Sequence, residues 1–257
     1  MELIDTHCHL AFKPLIGDID NVLKRSIDAS VTSWINVGTD MPQNQIAAEL
    51  ADKFDNLYAA IGIHPHDAKN VTDHDFDELK TLAQNKKVLA IGETGLDFHY
   101  NFSKPDLQKK IFTKHLELAA RLNLPVIIHS RQAFDDTVET LKPFAGSLKG
   151  VVFHCFSGTS SQAEIILDLG FHISFTGVVT FKNAHTVTQA AKIVPLDRLM
   201  LETDCPYMSP EPMRKQKTNE PALMIHTAKF LADLKNIDLN DLALAVTNTS
   251  KNFFNLS

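Results

Sequence analysis

A chain of 257 residues, 44% hydrophobic and 22% charged, has the make-up of a globular protein with a substantial core, in a size range that suits one large α/β barrel. Its formal charge of -6 argues against holding nucleic acid by bulk electrostatics, although it leaves room for an enzyme whose metal ions meet the phosphates. The opening MELIDTHCHL has acidic residues where a signal peptide needs basic ones, and no apolar run approaches a membrane span; a cytoplasmic protein without membrane association or an obligate protein partner is expected.

The first apolar run, ELIDTHCHL, reads as a strand ending in His7 and His9. A strand points residues i and i+2 to one face, so both imidazoles aim at one spot, a chelate geometry; two solvated histidines at a strand end are the plainer reading of this fragment alone. SWINVGT and LYAAIGIHP follow as strands, the latter leading to His64 and His66, which either contact a substrate phosphate or hydrogen-bond within their own loop. KVLAIGETGLD is a fourth strand, carrying Glu93. In KPDLQKKIFTKHLELAARLN, Leu107, Ile111, Leu118 and Leu122 form a helical stripe opposite lysines, with Ser103 reading as the cap before Lys104-Pro105. PVIIHSR carries His129 and, two residues on, Arg131, whose guanidinium suits a phosphate or a salt bridge to Asp135 or Asp136. GVVFHCFSG carries His154, FHISFTG follows, and RLMLETDCP ends in Asp204, with Glu202 inward by the same alternation. Asn219 before Glu220-Pro221 reads as a second cap; ALMIHTAKFLADL and LNDLALAVTNTSKNFFNL supply a last barrel helix and one more.

Eight buried strand runs alternating with helices predict a parallel sheet closed as a (β/α)8 TIM barrel with an extra C-terminal helix, a single domain over residues 1–257. The competitor is an open doubly wound sheet. The polar residues favour the barrel, because His7, His9, His64, His66, Glu93, His129, His154 and Asp204 all fall at the C-terminal ends of their runs, which a barrel gathers round one mouth. Cys8, Cys155 and Cys205 are too few for a disulfide framework; they read as small packing groups under the outer helices, with thiolate ligands as the alternative. Lys182, Arg214, Lys215 and Lys217 either line a path for a nucleic acid backbone or form a solvated basic loop.

Four imidazoles and two carboxylates, His7, His9, His129, His154, Glu93 and Asp204, exceed the needs of one tetrahedral ion and suit two divalent ions sharing a carboxylate and a hydroxide. Such a cluster is costly to desolvate unless cations fill it. Ser157 in HCFSG lacks the G-x-S-x-G turn of a hydrolase nucleophile, and a glycosidase pair of carboxylates leaves the histidines unexplained.

In order and spacing, IDTHCHL, GIHPH, IGETGLDF, HSRQAFDDT, HCFSGT, TGVVTFKNA and LETDCPYMSP followed by TNEP resemble the TatD family of metal-dependent deoxyribonucleases in the amidohydrolase superfamily, essentially from residue 1 to the end. The resemblance implies one metal at His7, His9 and a bridging Glu93, with Asp204 close by, and a second at Glu93, His129 and His154; Mg²⁺, Mn²⁺ or Zn²⁺ all fit this ligand set. Asp204 is the expected base or proton shuttle, and DNA the expected substrate, attacked at ends or on single strands because a continuous basic track is missing. Hydrolysis of another ester or amide, such as an aminoacyl ester on tRNA, is the alternative, and a metal-binding scaffold the third. The family often has Arg-Gly before the Asn-Glu-Pro; MRKQKTNEP has no glycine, a departure that bears on the substrate-side loop and not on the ligands.

Overall fold

The computed structural model describes residues 1–256. Its strands are β1 (Leu3–Cys8), β2 (Val31–Val37), β3 (Leu57–Ile61), β4 (Val88–Asp97), β5 (Val126–Arg131), β6 (Val151–Phe153), β7 (His172–Phe175) and β8 (Leu199–Leu201). Between them run α1 (Ile19–Asp28), α2 (Met41–Lys53), α3 (Asp73–Leu82), α4 (Pro105–Leu122), α5 (Phe134–Leu141), α6 (Ser160–Asp168) and α7 (His185–Ile193), and α8 (Met224–Lys235) and α9 (Leu239–Phe254) follow β8. The eight strands form one parallel sheet in chain order, and the fold is the expected (β/α)8 barrel with an additional C-terminal helix. Among the described residues, no helix is long and apolar enough to cross a membrane. The chain divides into two compact units, Met1–Asn36 with everything from Cys155 on, and Val37–His154.

In the first unit β1 is buried along its whole length, as strands of a parallel sheet covered on both faces are. Among the bonds that tie β1 and the residue after it to β8 and the loop beyond, Thr6 Oγ1 donates to the Leu201 carbonyl at 3.0 Å, the Asp204 N–H to the His7 carbonyl at 2.9 Å, and the His9 N–H to the Cys205 carbonyl at 2.9 Å. Helix α9 packs against β1 and β8, its Thr247 hydroxyl donating to the Glu2 carbonyl at 2.8 Å. Asn219 does not cap a helix. It is buried, and its Nδ2 donates to the carbonyls of Thr203 (3.0 Å) and Tyr207 (2.6 Å), while the chain enters α8 through a 3₁₀ turn at Pro221–Leu223. Those carbonyls lie beyond the end of β8, where the sheet ladder offers no donor, so a side-chain amide serves them instead.

In the second unit β3, β4, β5 and β6 pair in parallel. Gly95 adopts φ +139°, and a Cβ there would stand 2.0 Å from the His129 carbonyl oxygen, so only glycine lets β4 approach β5 this closely beside Glu93 and Asp97. Helix α4 buries Gln108, Ile111, Phe112, His115, Leu116, Leu118 and Ala119. Phe112 and Leu116, fully buried, each contribute about 1.5–3 kcal/mol of hydrophobic stabilisation. Of the expected stripe Ile111 and Leu118 are buried and Leu107 and Leu122 are half-buried at its margin, while two polar residues, Gln108 and His115, also lie inside and serve loop backbone. Gln108 accepts from the Asp97 N–H (2.8 Å) and donates to the Asp97 and Ser103 carbonyls (3.0 and 2.8 Å); His115 Nε2 accepts from the Ile63 N–H (3.1 Å). Ser103 likewise caps no helix, its hydroxyl donating to the His66 carbonyl (2.8 Å) and accepting from the Lys69 N–H (3.0 Å).

Candidate functional site

In the first unit, His7 sits near the end of β1, His9 one residue beyond it and Asp204 three residues beyond β8. Alternation sets His7 and His9 on one face, and the paired backbone bonds to Asp204 and Cys205 bring the acidic loop over them. Asp204 takes a left-handed conformation, φ +53°, that aspartate tolerates better than most residues. His7 Nε2 and His9 Nε2 stand 3.2 Å apart, and Asp204 Oδ1 lies 3.7 Å from the first and 3.3 Å from the second. Ligand atoms about 2.0–2.1 Å from one tetrahedral ion stand about 3.3 Å from one another, so the triangle has the spacing of a cation site. Behind it, Asp5 is wholly buried; burial pushes its carboxyl up to about 7, against the hydrogen bonds from the Thr203 hydroxyl (2.5 Å) and N–H (2.9 Å).

In the second unit, Glu93 Oε1 is ringed by imidazole nitrogens: His154 Nε2 at 2.7 Å, His129 Nδ1 at 2.8 Å and His64 Nε2 at 3.5 Å. His129 gives its Nε2–H to Asp97 Oδ2 at 3.1 Å, and His66 Nε2–H reaches the same oxygen at 3.0 Å. With one proton spent on Asp97, His129 meets Glu93 favourably only through a second proton or a metal cation on Nδ1. Burial works to raise the Glu93 carboxyl, but His154 and His64 nearby and the hydrogen bonds from His129 and His154 hold it well below its usual range. Burial lowers the basicity of His129, yet Asp97 and Glu93 carry it above its ordinary value. His64 is held neutral chiefly by burial; its Nδ1 accepts from the His66 N–H at 3.2 Å, which leaves its proton on Nε2, aimed at Glu93. The imidazole nitrogens of His129 and His154 against one ionised oxygen are a cation-holding set of the kind divalent ions take.

The predicted residues therefore gather as two groups, His7, His9 and Asp204 in one unit and Glu93, His129, His154, His64 and His66 in the other. Arg131 is exposed with its guanidinium 4.8 Å from the centre of the Tyr100 ring; among the described residues it forms no salt bridge to Asp135 or Asp136, the latter being paired with Lys109. Cys8 and Cys205 are buried packing groups. Cys155 departs from expectation. β6 ends at Phe153, so strand alternation does not reach it; at φ +47° it is half-buried with Sγ 3.7 Å from Thr176 Oγ1 and 3.8 Å from Met208 Sδ, among the loops beyond β7 and β8 and not under the outer helices. Glu202 is inward as expected, one oxygen accepting from the Cys155 N–H and the other from the Ser174 hydroxyl, both at 2.6 Å. The basic residues Lys182, Arg214, Lys215 and Lys217 are exposed, with Arg214 over the Phe181 ring at 3.9 Å. Sequence reasoning missed Asp97 and His115. For Asp97 a signal existed: it follows Glu93 by four along one strand, hence on the same face.

A (β/α)8 barrel with imidazoles and carboxylates collected at its strand ends is the arrangement of a metal-dependent hydrolase. The model of the family described as TatD related DNase matches residues 4–255. A Bacillus subtilis protein named "Uncharacterized metal-dependent hydrolase YabD" is 39% identical over 99% of this chain and 100% of its own. The "3'-5' ssDNA/RNA exonuclease TatD" of Erwinia tasmaniensis is 35% identical over 99% of this chain and 100% of its own. Among solved structures, YJJV, a TatD homolog from Escherichia coli, superimposes with a TM-score of 0.93 at 32% identity, over 99% of this chain and 98% of that one. The chain belongs to the TatD family of metal-dependent hydrolases.

Proposed function

We propose that the protein is a divalent-metal-dependent deoxyribonuclease that hydrolyses phosphodiesters at strand ends or on single strands. The observation that carries this reading is the convergence of imidazole nitrogens on carboxylate oxygens at 2.7–3.7 Å in both groups, contacts that call for a proton or a cation between the two atoms. The similarity to a protein named as a 3'-5' ssDNA/RNA exonuclease supports the choice of substrate.

His7, His9 and Asp204 hold one ion, and Glu93, His129 and His154 the other. When bound, divalent ions lower the pKa of water and offset negative charge building on the phosphoryl oxygens. The residues do the rest. Asp97 fixes the His129 tautomer by accepting its Nε2–H at 3.1 Å, which leaves Nδ1 for the ion. Asp204, 7% exposed at the end of its loop, takes the proton of the attacking water. His64, His66 and Arg131 line the substrate side. The neutral His64 offers an Nε2–H, and Arg131 a charged fork, to the phosphate. A cytoplasmic location is part of the same proposal.

The test is a substrate panel of end-labelled single-stranded DNA, closed circular duplex and aminoacyl-tRNA, each with added Mg²⁺, Mn²⁺ or Zn²⁺. Release of nucleotides from the single strand is the expected result; deacylation of aminoacyl-tRNA with DNA left intact would replace this reading by that of a carboxylic-ester hydrolase.

A further inference from the structure

Beside the Glu93 group, within the same unit, lies an aromatic surface that the metal chemistry does not use. Tyr100 and Phe102, in the loop between β4 and α4, are 48% and 56% exposed, and their rings are stacked with centroids 5.3 Å apart and planes 16° from parallel. His66 meets both edge-on, at 5.5 Å and 4.8 Å, and the same His66 donates to Asp97, which also holds His129. The platform is thus linked to a candidate metal ligand through one imidazole and one carboxylate. The loop is pinned from below, since the backbone N–H groups of His99 and Tyr100 both donate to Asp97 Oδ1 at 3.0 Å.

Exposed aliphatic residues elsewhere, Ile27, Ile165, Ile193 and Leu244, lie on separate helices and are the scattered kind that need no explanation. Two adjacent aromatics stacked on one another and each about half exposed are different, because together they present a continuous aromatic surface to solvent. Arg131 adds charge: its guanidinium lies 4.8 Å from the Tyr100 ring centre and, among the described residues, forms no ion pair with a carboxylate. A cation without a carboxylate partner on an acidic chain, next to stacked rings, matches a ligand that has both a flat π-face and a negative charge.

We propose that Tyr100 and Phe102 form a stacking platform for an unpaired nucleobase of a single-stranded polynucleotide, with Arg131 meeting the adjoining phosphate. This deepens the nuclease reading and rests on it for the identity of the polymer. Stacking on a ring is tolerant of base identity but requires the base to be out of a duplex, so the platform selects single strands and frayed ends without reading sequence. Arg131 supplies the attraction to the backbone that the acidic chain as a whole withholds.

The experiment compares wild type, the double variant Tyr100→Ala/Phe102→Ala and the aromatic-conserving Tyr100→Phe/Phe102→Tyr. Binding is followed by fluorescence anisotropy on a labelled phosphorothioate oligodeoxyadenylate and on the same backbone with abasic residues, and turnover on the ordinary oligonucleotide. Alanine is expected to weaken binding of the base-bearing strand at least about ten-fold and to raise KM with kcat little changed, while the aromatic-conserving variant stays near wild type. Binding of the abasic strand is expected to be the same for all three. The backbone N–H bonds to Asp97 survive each substitution, so metal content and unfolding temperature are expected to hold. Equal affinity of the alanine variant and wild type for the base-bearing strand would overturn the inference, as would equal loss on both strands or failure of wild type to bind either. Wild type that binds the strand through these rings yet never cleaves it would instead remove the nuclease reading and leave the platform standing.

Discussion

Acidification perturbs the fold through His115, the histidine buried on α4. Its Nδ1–H donates to the Ile111 carbonyl at 2.8 Å and its Nε2 accepts from the Ile63 N–H at 3.1 Å, so only the neutral imidazole makes both bonds. Burial pushes its pKa down to about 4 from 6.5, with the bond to the Ile111 carbonyl acting in the opposite sense. The unfolded chain takes the proton near the ordinary value and the folded chain resists it to about 4, so the unfolded state binds more protons throughout that interval. The stability this causes is whole above the unfolded pKa, falls as pH drops through the interval and levels off below the folded value, a total loss of about 3 kcal/mol. His115→Leu removes the titration and leaves the Ile63 N–H without its acceptor, which costs about 1–3 kcal/mol at pH 8. Urea unfolding of metal-free wild type and variant at a series of pH values reads both effects. The variant is expected to be the less stable at pH 8 and the gap to close or invert as the pH falls toward the folded value. A gap that stays constant across the series would refute the assignment of a buried, neutral His115.

Asn219→Ala strips donors from the carbonyls of Thr203 and Tyr207, and a loss of about 2–4 kcal/mol in urea unfolding is expected; a loss within about 0.5 kcal/mol would mean that those carbonyls find other partners. Glu93→Gln is expected to empty the ion site it makes with His129 and His154 and to abolish turnover with the fold retained, whereas Cys155→Ser, half-buried and outside that ligand set, is expected to keep its metal and cost at most about 1 kcal/mol. Elemental analysis showing the reverse pattern would dismantle the ligand assignment. Closed circular duplex is expected to react far more slowly than end-labelled single strands, since the chain carries net charge -6 and only scattered basic loops; comparable initial rates would count against that.

The strands and the order of their polar ends were legible because hydrophobic runs and strand alternation are local properties. His7 and His9 converge as i and i+2 residues should, although His9 already lies past the last residue of β1. The same rule failed at Cys155, where β6 stops two residues short and a left-handed turn redirects the side chain. Ser103 and Asn219 sit where caps belong, yet both serve carbonyls on distant loops, a demand set by tertiary structure and invisible to a local pattern. Gln108 and His115 escaped for a related reason: hydrophobic periodicity ranks polar residues as surface, and here loop backbone groups bring them inside. Asp97 was within reach, on the face of Glu93, but its partners, His66 and His129, come from other elements.

Metal content and turnover measured on the same samples bear most directly on the proposed chemistry. Protein stripped by exhaustive chelation, verified ion-free by elemental analysis, is titrated with Mn²⁺ while hydrolysis of an end-labelled single strand is followed. Turnover is expected to be absent at the start and to rise with bound ion until both groups, His7, His9 and Asp204 and Glu93, His129 and His154, are filled. Full turnover from the ion-free protein would contradict the role given to every one of these residues.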